Sequence, residues 1–326
     1  MTRVAVMDDW QGVAAGSADW SKLRARAEVA ILSEPFADED AAAAGLADFD
    51  VIIPMRERTP LPGSLIGRLP KLRMVALTGT RSPSLDVAAC TARGIVISTT
   101  GGVTSSGGTG ELALALMLAV ARRIPAADAA IRAGRFQEGV GVGPVLRGKT
   151  LGVIGLGRIG SQVAGYGRTL GMEVLAWSRS LTAEKAAEAG ATLASKKELL
   201  ARSDVVSLHV PLAPASRGLI GAAEIARMKP GAILVNTSRA GLVDTAALLS
   251  ALHEGRIMAG LDVYDREPLP PDDPIRTAPN TVLTPHLGYA SVDTFRQFYG
   301  ESIENVLAFL DGKPIRVLNQ EVLQAS

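Results

Sequence analysis

Residues 150–180, TLGVIGLGRIGSQVAGYGRTLGMEVLAWSRS, combine two apolar runs with a glycine-rich turn and a helical segment. This order predicts a strand, a tight turn, a helix and a second, parallel strand. In a turn of the form G-x-G-x-x-G, the glycines permit the bend, the approach of a pyrophosphate and close helix packing, and the helix N-terminus favours anions. The stretch therefore predicts a dinucleotide site. Its cofactor-binding residues would be Gly155, Gly157, Arg158, Ile159 and Gly160.

The end of the second strand bears on the choice of coenzyme. Sites for NAD usually have an Asp or Glu about 20 residues after the turn, where it binds the ribose 2′-hydroxyl. Here the strand ends in Trp177-Ser178-Arg179-Ser180, a hydroxyl and a guanidinium that suit a 2′-phosphate. Ser178 and Arg179 therefore favour NADP over NAD. The alternative is that Arg179 is only a solvated loop charge, which leaves NAD open.

The overall composition indicates a globular protein of two domains. The chain has 326 residues, of which 47% are hydrophobic and 21% are charged, and its formal net charge is +1. This length allows two domains with separate cores. The near-neutral charge, without a basic run, predicts neither a nucleic acid nor an anionic membrane as a partner.

Cysteine content and the N-terminus indicate a compartment. Cys90 is the single cysteine, so no disulfide can form within the chain, and no Cys/His spacing predicts a metal site. The N-terminus lacks a signal-peptide pattern, and no apolar run approaches the length of a membrane span. We therefore expect a cytoplasmic protein without a bound metal.

Strand and helix patterns alternate along the chain and predict an α/β fold with two doubly wound parallel-sheet domains. Short apolar runs at 4–7, 29–32, 51–54, 74–77 and 95–97 predict a small first sheet. A polar, glycine-rich hinge at 99–108 and a long helix at about 109–123 follow it. A second series at 151–154, 173–177, 205–210, 233–237, 258–263 and 282–285 predicts the sheet of a Rossmann cofactor domain.

The final helix, at 291–310, has no third domain to join and is expected to return to the first sheet. The predicted domains are therefore a discontinuous, flavodoxin-like substrate domain, residues 1–101 and 290–326, and a dinucleotide-binding domain, residues 102–289. Two crossings of the chain predict a cleft for a small molecule.

Only three histidines are available as general acids or bases near neutral pH. His253 lies in a helical pattern, where a surface or capping role is expected. His209 ends a strand and precedes Pro211, at the carboxyl edge where α/β sheets bind ligands. His286 ends the last strand of the second series, at the same edge.

Two further strands end in charged residues at that edge. One delivers Arg239, whose guanidinium matches a carboxylate in a bidentate way. The next delivers Asp262 and then Glu267, and a carboxylate beside an imidazole favours the protonated form of the ring. Arg239, Glu267 and His286 beside a hydride carrier therefore suit reduction of a 2-oxo acid. The alternative is a surface ion pair between Arg239 and Glu267, with His286 capping a strand.

The sequence resembles the D-isomer-specific 2-hydroxyacid dehydrogenase family, which includes glyoxylate/hydroxypyruvate reductases and D-3-phosphoglycerate dehydrogenase. The similarity extends from about Leu72 to Tyr289. It rests on five motifs in the family's order: LGVIGLGRIG at 151–160, HVPLAPASRGLI at 209–220, MKPGAILVNTSRAGLVD at 228–244, GLDVYDREPLP at 260–270 and TPHLGY at 284–289.

The resemblance implies a role for each matching residue. Arg239 would bind the substrate carboxylate, His286 would supply the proton and Glu267 would pair with His286. The loop Thr78-Gly79-Thr80-Arg81 would hold the substrate through backbone N–H groups. The remaining residues would contact the cofactor: Pro211 and Ser216 around the adenine and ribose, and Thr237, Ser238 and Asp262 near the nicotinamide. His209 and Val210, at the start of the same motif as Pro211, are also assigned to the cofactor pocket, although His209 could equally be structural.

These roles predict an NAD(P)-dependent oxidoreductase that acts on a small 2-oxo or D-2-hydroxy acid, with His286 as the general acid/base. By analogy we expect a homodimer, with the apolar helix at 111–120 as a candidate interface. Arg81-Ser82 departs from the family's commoner substrate loop, so the substrate's identity stays open. The alternative function is a dinucleotide-sensing, co-repressor-like binding protein of the same fold.

Overall fold

The structure, a computed structural model, describes residues 1–101 and 107–324, whose contacts form two compact units. Unit 1 comprises Met1–Ser106 and Ala290–Ser326, and unit 2 comprises Gly107–Tyr289. Each unit contains a parallel β-sheet with helices, so the predicted α/β fold with two parallel sheets is confirmed. Residues 102–106, which belong to the predicted hinge, lie outside the described residues.

Unit 1 is built on a sheet whose strands lie in the order β2-β1-β3-β4-β5, all parallel. The strands are β1 (Thr2–Val6), β2 (Ala27–Ile31), β3 (Val51–Ile53), β4 (Met74–Leu77) and β5 (Val96–Thr99). The helices are α1 (Ala14–Ser17), α2 (Ser21–Arg24), α3 (Glu39–Leu46), α4 (Gly63–Gly67), α5 (Val87–Ala92) and, from the end of the chain, α13 (Val292–Leu310).

The sheet of unit 1 is buried because helices cover it. Every residue of β3 and β4 is buried, as expected for parallel strands that are packed on both faces. α13 packs against β4 and β5 and buries Phe298 and Val306. Ser291 caps this helix by accepting a hydrogen bond from the backbone N–H of Thr294.

Unit 2 contains a longer parallel sheet in the order β12-β11-β10-β9-β6-β7-β8. Its strands are β6 (Thr150–Ile154), β7 (Glu173–Trp177), β8 (Thr192–Leu193), β9 (Val205–Leu208), β10 (Ala232–Asn236), β11 (Ile257–Leu261) and β12 (Thr281–Leu283). Its helices are α6 (Gly108–Ala121), α7 (Ile124–Arg132), α8 (Arg158–Thr169), α9 (Ala183–Glu188), α10 (Lys196–Arg202), α11 (Ala222–Arg227) and α12 (Thr245–His253).

The topology of unit 2 creates a ligand crevice. The chain builds outward from β6 to β8 and then returns to place β9 on the other side of β6. The order of the strands therefore reverses between β6 and β9. In open α/β sheets, ligands bind at the carboxyl ends of the strands beside such a switch point.

The structure differs from the sequence prediction at the ends of several elements. β9 ends at Leu208 rather than at 210, because the chain turns away toward Pro211, which has no N–H for the ladder. α6 ends at Ala121 rather than near 123, because Arg123 adopts a left-handed conformation with φ +52°. β8 was not predicted, since it has only two residues and both are exposed.

Three features bear on the predictions made from the sequence as a whole. Cys90 is buried in α5, and burial raises the pKa of its thiol to about 12, so the thiol stays protonated. Among the described residues, no group of His, Cys, Asp and Glu side chains could hold a metal ion. None of the described helices has the length and apolar character needed to cross a bilayer.

The helix proposed as a dimer interface is α6, and most of its large apolar side chains face inward. Leu116, Met117 and Val120 are buried, and the helix packs against β10 and β11 of its own unit. Side chains already buried in the unit are not available to a second chain. The exposed apolar residues of unit 2 occur instead mainly after α6, in the segment from 124 to 145.

Candidate active site

The turn between β6 and α8 brings the chain close to the end of β9. Gly155 has φ +96°, a conformation that favours glycine. A Cβ atom at this position would lie 2.6 Å from the carbonyl oxygen of His209 and 2.7 Å from Cγ1 of Val210. Glycine is therefore required both by the backbone conformation and by the neighbouring strand end.

The other two glycines of the motif have different surroundings. A Cβ atom at Gly160 would collide with the carbonyl oxygen of Gly155, so α8 packs tightly on the turn. A Cβ atom at Gly157 would meet no atom within 4 Å, so this glycine faces open space. α8 begins after Gly157 without a side-chain cap, which leaves its first N–H groups for a ligand. Open space beside free N–H groups fits the pyrophosphate of a dinucleotide.

Side chains at the end of β7 are accessible to a ligand. Ser178 is half-buried and Arg179 is exposed, directly after the last residue of the strand. Within the described part of the chain, the side chain of Arg179 makes no ion pair or hydrogen bond. Arg158, in the turn itself, is also exposed. These positions suit the ribose end of a dinucleotide, with the guanidinium of Arg179 open to its charge.

The loop after β9 is held by its own polar groups. His209 forms a hydrogen bond through Nε2 with Oγ of Ser207 at 2.8 Å, and burial lowers the pKa of the ring to about 4. His209 is therefore neutral at pH 7. Ser216 Oγ donates to the carbonyl oxygen of Pro211 at 2.8 Å, and Ser238 Oγ donates to that of Val210 at 2.6 Å. Ser216 and Ser238, each predicted to bind the cofactor, thus also fix the backbone of this loop.

The loop after β10 carries Arg239 and is anchored by Asn236. The buried amide of Asn236 accepts from the N–H of Ser238 at 3.0 Å and donates to the carbonyl oxygen of Arg239 at 2.9 Å. Arg239 is half-buried and donates from Nη1 to the carbonyl oxygen of Ser238 at 2.7 Å. In the described part of the chain, Oγ1 of buried Thr237 has no hydrogen-bond partner.

Asp262 fixes the segment that leads to and follows His286. Its buried carboxylate accepts from Oγ1 of Thr284 at 2.6 Å, from the N–H of Leu287 at 2.7 Å and from that of Gly288 at 2.9 Å. Burial raises the pKa of Asp262, although these hydrogen bonds act in the opposite direction. Asp262 therefore holds the backbone on both sides of His286, in addition to its predicted position near the cofactor.

His286 and Glu267 form a direct pair. His286 Nδ1 lies 2.6 Å from Oε2 of Glu267, and the other carboxylate oxygen accepts from the N–H of Tyr264 at 2.8 Å. The side chains of His286 and Glu267 are 29% and 34% exposed, so both can meet solvent or a ligand. His286 has φ +54°, an unusual conformation for a residue other than glycine.

The charges around this pair define its protonation pattern. Burial raises the pKa of Glu267, but the hydrogen bond and charge of His286, the Tyr264 N–H and the charge of Arg239 together lower it below its usual value. An ionised Glu267 accepts the hydrogen on Nδ1 of His286. Nε2 is then the nitrogen through which the ring can exchange a proton with a ligand.

The predicted substrate loop belongs to unit 1. Thr78 is buried and donates to the carbonyl oxygen of Pro54 at 2.7 Å, and the N–H of Gly79 donates to Oγ1 of Thr100 at 2.6 Å. The Gly79 N–H is thus already engaged. Within the described residues, the backbone N–H groups of Thr80 and Arg81 have no partner, so these groups suit a substrate carboxylate better.

Three residues that support this arrangement were missed in the sequence. Asn236 anchors the loop of Arg239, Tyr264 donates its N–H to Glu267, and Thr284 binds Asp262. Each lies within a motif that was quoted, no more than two positions from a predicted residue. These contacts of Asn236 and of Tyr264 each lie within one loop and that of Thr284 joins two strand ends, so proximity in sequence to a functional residue was the only signal available for them.

Comparison with known proteins identifies similar sequences. The sequence model for "D-isomer specific 2-hydroxyacid dehydrogenase, NAD binding domain" matches residues 114–288. A glyoxylate reductase from Aeropyrum pernix is 42% identical over 269 residues, which cover 80% of each chain. A D-3-phosphoglycerate dehydrogenase from Archaeoglobus fulgidus is 39% identical over 266 residues, which cover 81% of this chain and 50% of the relative. The chain thus spans about half of that longer relative.

A solved structure has the same fold over nearly the whole chain. The phosphoglycerate oxidoreductase from Vibrio cholerae o395 superposes with a TM-score of 0.90 and is 34% identical. The superposition covers 96% of this chain and 100% of the other. The likeness therefore includes both parallel sheets.

Proposed function

The chain belongs to the D-isomer-specific 2-hydroxyacid dehydrogenase family, and we propose that it reduces a small 2-oxo acid to the D-2-hydroxy acid with His286 as the proton donor. Nicotinamide-dependent hydride transfer is the reaction of this family. The observation that carries the proposal is the hydrogen bond of 2.6 Å between His286 Nδ1 and Glu267 Oε2, at the carboxyl edge of the cofactor-binding sheet. This pair supplies the acid/base that the reduction of a carbonyl group requires.

Other roles in the reaction are assigned to residues of unit 2. The Arg239 guanidinium binds the carboxylate of the substrate and polarises the oxygen on C2. His286 then gives the proton on Nε2 to that oxygen, while ionised Glu267 holds Nδ1 and stabilises the charged ring. In the reverse direction the neutral ring accepts the proton, so oxidation is favoured at higher pH than reduction.

The cofactor lies, in this proposal, across the switch point of unit 2. Gly155, Gly157 and Gly160 form the turn for the pyrophosphate, and Thr237 is assigned to the nicotinamide side by the family resemblance. When bound, the nicotinamide supplies the hydride for reduction and accepts it in oxidation. His209, which is neutral at pH 7, places an uncharged side chain near the turn between β6 and α8.

We propose NADP as the preferred coenzyme. The support is the end of β7, where half-buried Ser178 and exposed Arg179 occupy the region in which NAD sites usually have a carboxylate. A carboxylate would repel the 2′-phosphate of NADP, whereas a guanidinium attracts it. NAD remains the alternative if Arg179 is a solvated charge that does not contact the cofactor.

The relatives described above are named for reductase, dehydrogenase or oxidoreductase activities, and nothing in the comparisons supports a co-repressor-like binding protein. We therefore retain catalysis as the function. The substrate assignment follows from the chemistry of the site: one carboxylate for Arg239 and one carbonyl oxygen for His286.

A substrate panel tests the proposal directly. The purified chain is assayed with glyoxylate, hydroxypyruvate, pyruvate and bulkier 2-oxo acids, each with NADPH and with NADH, and cofactor oxidation is followed at 340 nm. We expect turnover of at least one acid, with kcat/KM of roughly 10⁴ M⁻¹s⁻¹ or more for a good substrate. Binding of a cofactor without oxidation by any acid would instead favour the binding protein.

A further inference from the structure

Tyr264 contacts both segments of unit 2 that carry the acid/base pair. It follows β11, which ends at Leu261, and it begins the loop that bears Glu267. Its backbone N–H donates to Oε1 of Glu267 at 2.8 Å. Its hydroxyl donates to the carbonyl oxygen of Thr284, two positions before His286, at 3.0 Å. One residue therefore links the loop of the carboxylate to the strand end of the imidazole.

The carbonyl oxygen of Thr284 also accepts a hydrogen bond from the N–H of His286, at 3.1 Å. A hydrogen bond between residues two positions apart closes a tight turn of three residues, here with Pro285 at its centre. His286 has φ +54°, a conformation that persists in residues other than glycine only where the surrounding structure holds it. Because the Tyr264 hydroxyl donates to the oxygen that closes this turn, it stabilises the backbone that orients the ring of His286.

The hydroxyl of Tyr264 stays protonated and can donate at neutral pH. Burial, followed by the charges of Asp262 and Glu267, raises the pKa of Tyr264 above its usual value. The single hydrogen of a hydroxyl serves one acceptor at a time. The carbonyl oxygen of Leu261 lies 3.3 Å away and that of Thr284 lies 3.0 Å away. The shorter of the two contacts is therefore the one that joins two strand ends.

Each of the two segments also has an anchor of its own. Asp262 holds the segment of the imidazole through the hydrogen bonds described above. Arg276 holds the far end of the carboxylate loop, since Nε donates to the carbonyl oxygen of Pro270 at 2.6 Å and Nη2 donates to that of Leu269. Removal of the Tyr264 hydroxyl should therefore loosen one segment relative to the other while both segments stay folded.

Packing around Tyr264 is incomplete. Tyr264 borders a cavity of about 40 Å³, whose apolar lining includes Leu261, Leu269 and Ile275. A space of this size has room for a water molecule. Close packing therefore does not hold the residue on that side, and its position depends more strongly on its hydrogen bonds.

We propose that Tyr264 is a positioning residue, whose hydroxyl holds the strand end of His286 at the distance from Glu267 at which the two side chains form their hydrogen bond. The proposal rests on the assignment of His286 as the proton donor in the reduction of a 2-oxo acid. Tyr264 acts through the pair and has no contact with the substrate in this account. Without the hydroxyl, Glu267 holds Nδ1 less firmly, and more of the neutral rings carry their hydrogen on Nε2.

The variant Tyr264→Phe tests the proposal, because it removes the hydroxyl and keeps both the ring and the N–H that Glu267 accepts. We expect kcat for the best 2-oxo acid to fall by roughly 3- to 10-fold, which corresponds to the loss of one hydrogen bond. The KM for the acid and the dissociation constant for NADPH should change by less than about 2-fold, because Arg239 and the glycine turn are unaltered.

The matched control is Tyr166→Phe, which removes another tyrosine hydroxyl of unit 2. The hydroxyl of Tyr166, on α8, accepts a hydrogen bond from Nε2 of Gln162 at 2.8 Å. The control therefore also loses one hydrogen bond, but away from the acid/base pair. It should keep the kcat of the unaltered enzyme.

A double-mutant cycle tests whether Tyr264 acts through the pair. Glu267→Ala removes the partner of Nδ1 on His286. If the hydroxyl of Tyr264 serves to place this carboxylate beside the ring, adding Tyr264→Phe to Glu267→Ala should lower kcat further by less than about 2-fold. The same fractional fall in kcat with and without Glu267 would show a structural effect independent of the pair.

Nitrogen NMR of the histidine rings gives a readout that does not depend on turnover. The chain has only three histidines, His209, His253 and His286, so each ring can be assigned by its own substitution. At a pH where the ring is neutral, His286 of the unaltered protein should carry its hydrogen mainly on Nδ1. In Tyr264→Phe the fraction with hydrogen on Nε2 should rise at least about 2-fold, and in Tyr166→Phe it should not change.

The outcomes separate this proposal from the proposed function. An unchanged tautomer of His286 in Tyr264→Phe, or the same fractional fall in kcat in both backgrounds of the cycle, would overturn the proposal and leave the reaction standing. A shifted tautomer in a protein that reduces no 2-oxo acid would overturn the reaction and leave the positioning role standing. Thermal unfolding completes the test: a less stable Tyr264→Phe whose His286 tautomer is unchanged would assign the residue to folding alone.

Discussion

Glu267 makes two contacts at once, one to the ring of His286 and one to the N–H of Tyr264. These contacts keep its pKa low against the effect of burial, so the carboxylate is ionised over the whole neutral range. Glu267 therefore fixes which nitrogen of His286 carries a hydrogen toward the protein. Glu267 and His286 are 19 positions apart in sequence. The resemblance predicted that they pair, but not the distance between Nδ1 and Oε2.

At the same scale, the sequence predicted which residues end the strands but not what holds them. Arg239, Glu267 and His286 stand out because ionisable side chains within six residues of the ends of neighbouring strands are conspicuous. Asn236 and Thr284 do not, since Asn236 acts by hydrogen bonds to the backbone of its own loop and Thr284 by a hydrogen bond to Asp262 on another strand end. The left-handed backbone of His286 is likewise a consequence of the surrounding hydrogen bonds, which no local pattern encodes.

Arg179 decides the coenzyme in our account. Arg179→Ala should weaken NADPH binding by roughly 10-fold or more while changing NADH binding by less than about 2-fold, because only NADPH carries the 2′-phosphate. Dissociation constants from fluorescence titration measure both. Arg227→Ala, at the exposed end of α11, removes the same charge elsewhere in unit 2 and serves as the control. Equal weakening of both coenzymes in Arg179→Ala would refute the NADP assignment.

His209 should make the protein sensitive to acid. Its pKa is lowered to about 4 by burial, so between about pH 6.5 and 4 the unfolded chain binds a proton that the folded chain does not. Stability is therefore complete above pH 6.5 and is lost as the pH falls, by roughly 3 kcal/mol over this window. His209→Gln should lose less stability than the unaltered protein between pH 7.5 and 4.5, as measured by urea unfolding.

The comparison for this effect is His253→Gln, at the exposed end of α12. That variant should retain the acid sensitivity of the unaltered protein. The lowered pKa of Glu267 contributes in the same direction, because its stabilising pairs are lost as the pH falls through its folded pKa. Both His209→Gln and the unaltered protein contain Glu267, so the difference between their losses of unfolding free energy excludes the contribution of Glu267. Equal losses in the two proteins would contradict the burial argument.

At the scale of elements, different glycines in the turn between β6 and α8 contribute to folding stability and to cofactor binding. Gly160 is needed for packing, since a side chain would strike the carbonyl oxygen of Gly155. Gly157 is not needed for packing, since its surroundings are open. The same motif thus contains one glycine that the fold requires and one that we assign to the ligand.

Two alanine variants express this difference. Gly160→Ala should lower the free energy of unfolding by roughly 1–3 kcal/mol through overpacking. Gly157→Ala should unfold like the unaltered protein but bind NADPH roughly 10-fold less tightly or worse, because the methyl group enters the space for the pyrophosphate. Thermal unfolding and isothermal titration calorimetry measure the two effects.

Gly165→Ala provides the matched control within α8, where a Cβ atom would also meet open space. It should keep its affinity for NADPH and its stability should be equal or higher, because alanine favours helix more than glycine does. Full affinity in Gly157→Ala would contradict the assignment of this turn to the pyrophosphate.

Element boundaries show what periodicity can and cannot predict. The runs of buried apolar residues in β4, β6 and β7 match the predicted strands within one residue, because burial on both faces requires such runs. β8 has two exposed residues and no apolar signal, so only its pairing with β7 defines it. Tertiary pairing rather than local sequence therefore sets the edge of the sheet.

At the scale of the whole molecule, unit 2 exposes an apolar segment that a single chain does not cover. Ile124, Ile131, Phe136, Val142 and Val145 are between 54% and 97% exposed within 22 residues of sequence. Exposed large apolar side chains in one segment usually mark an interaction surface. We propose that this segment, rather than the helix at 111–120, contributes to a homodimer interface.

Solution mass tests this proposal. Phe136→Glu combined with Val142→Glu should shift the protein from a dimer to a monomer in light scattering, because two charges would be buried in the interface. The control is Leu193→Glu, in β8, where an apolar side chain is also exposed, at 39%. A dimer of unchanged affinity in the double variant, or a monomeric unaltered protein, would overturn the assignment.

The central claim of the account is that His286 gives the proton to the substrate while the cofactor binds elsewhere in unit 2. The most direct test is single-turnover reduction of the best 2-oxo acid by His286→Asn with NADPH prebound. We predict a rate at least ~100-fold lower than that of the unaltered enzyme, with the dissociation constant for NADPH changed by less than about 2-fold. An unchanged rate of reduction in His286→Asn would contradict the claim.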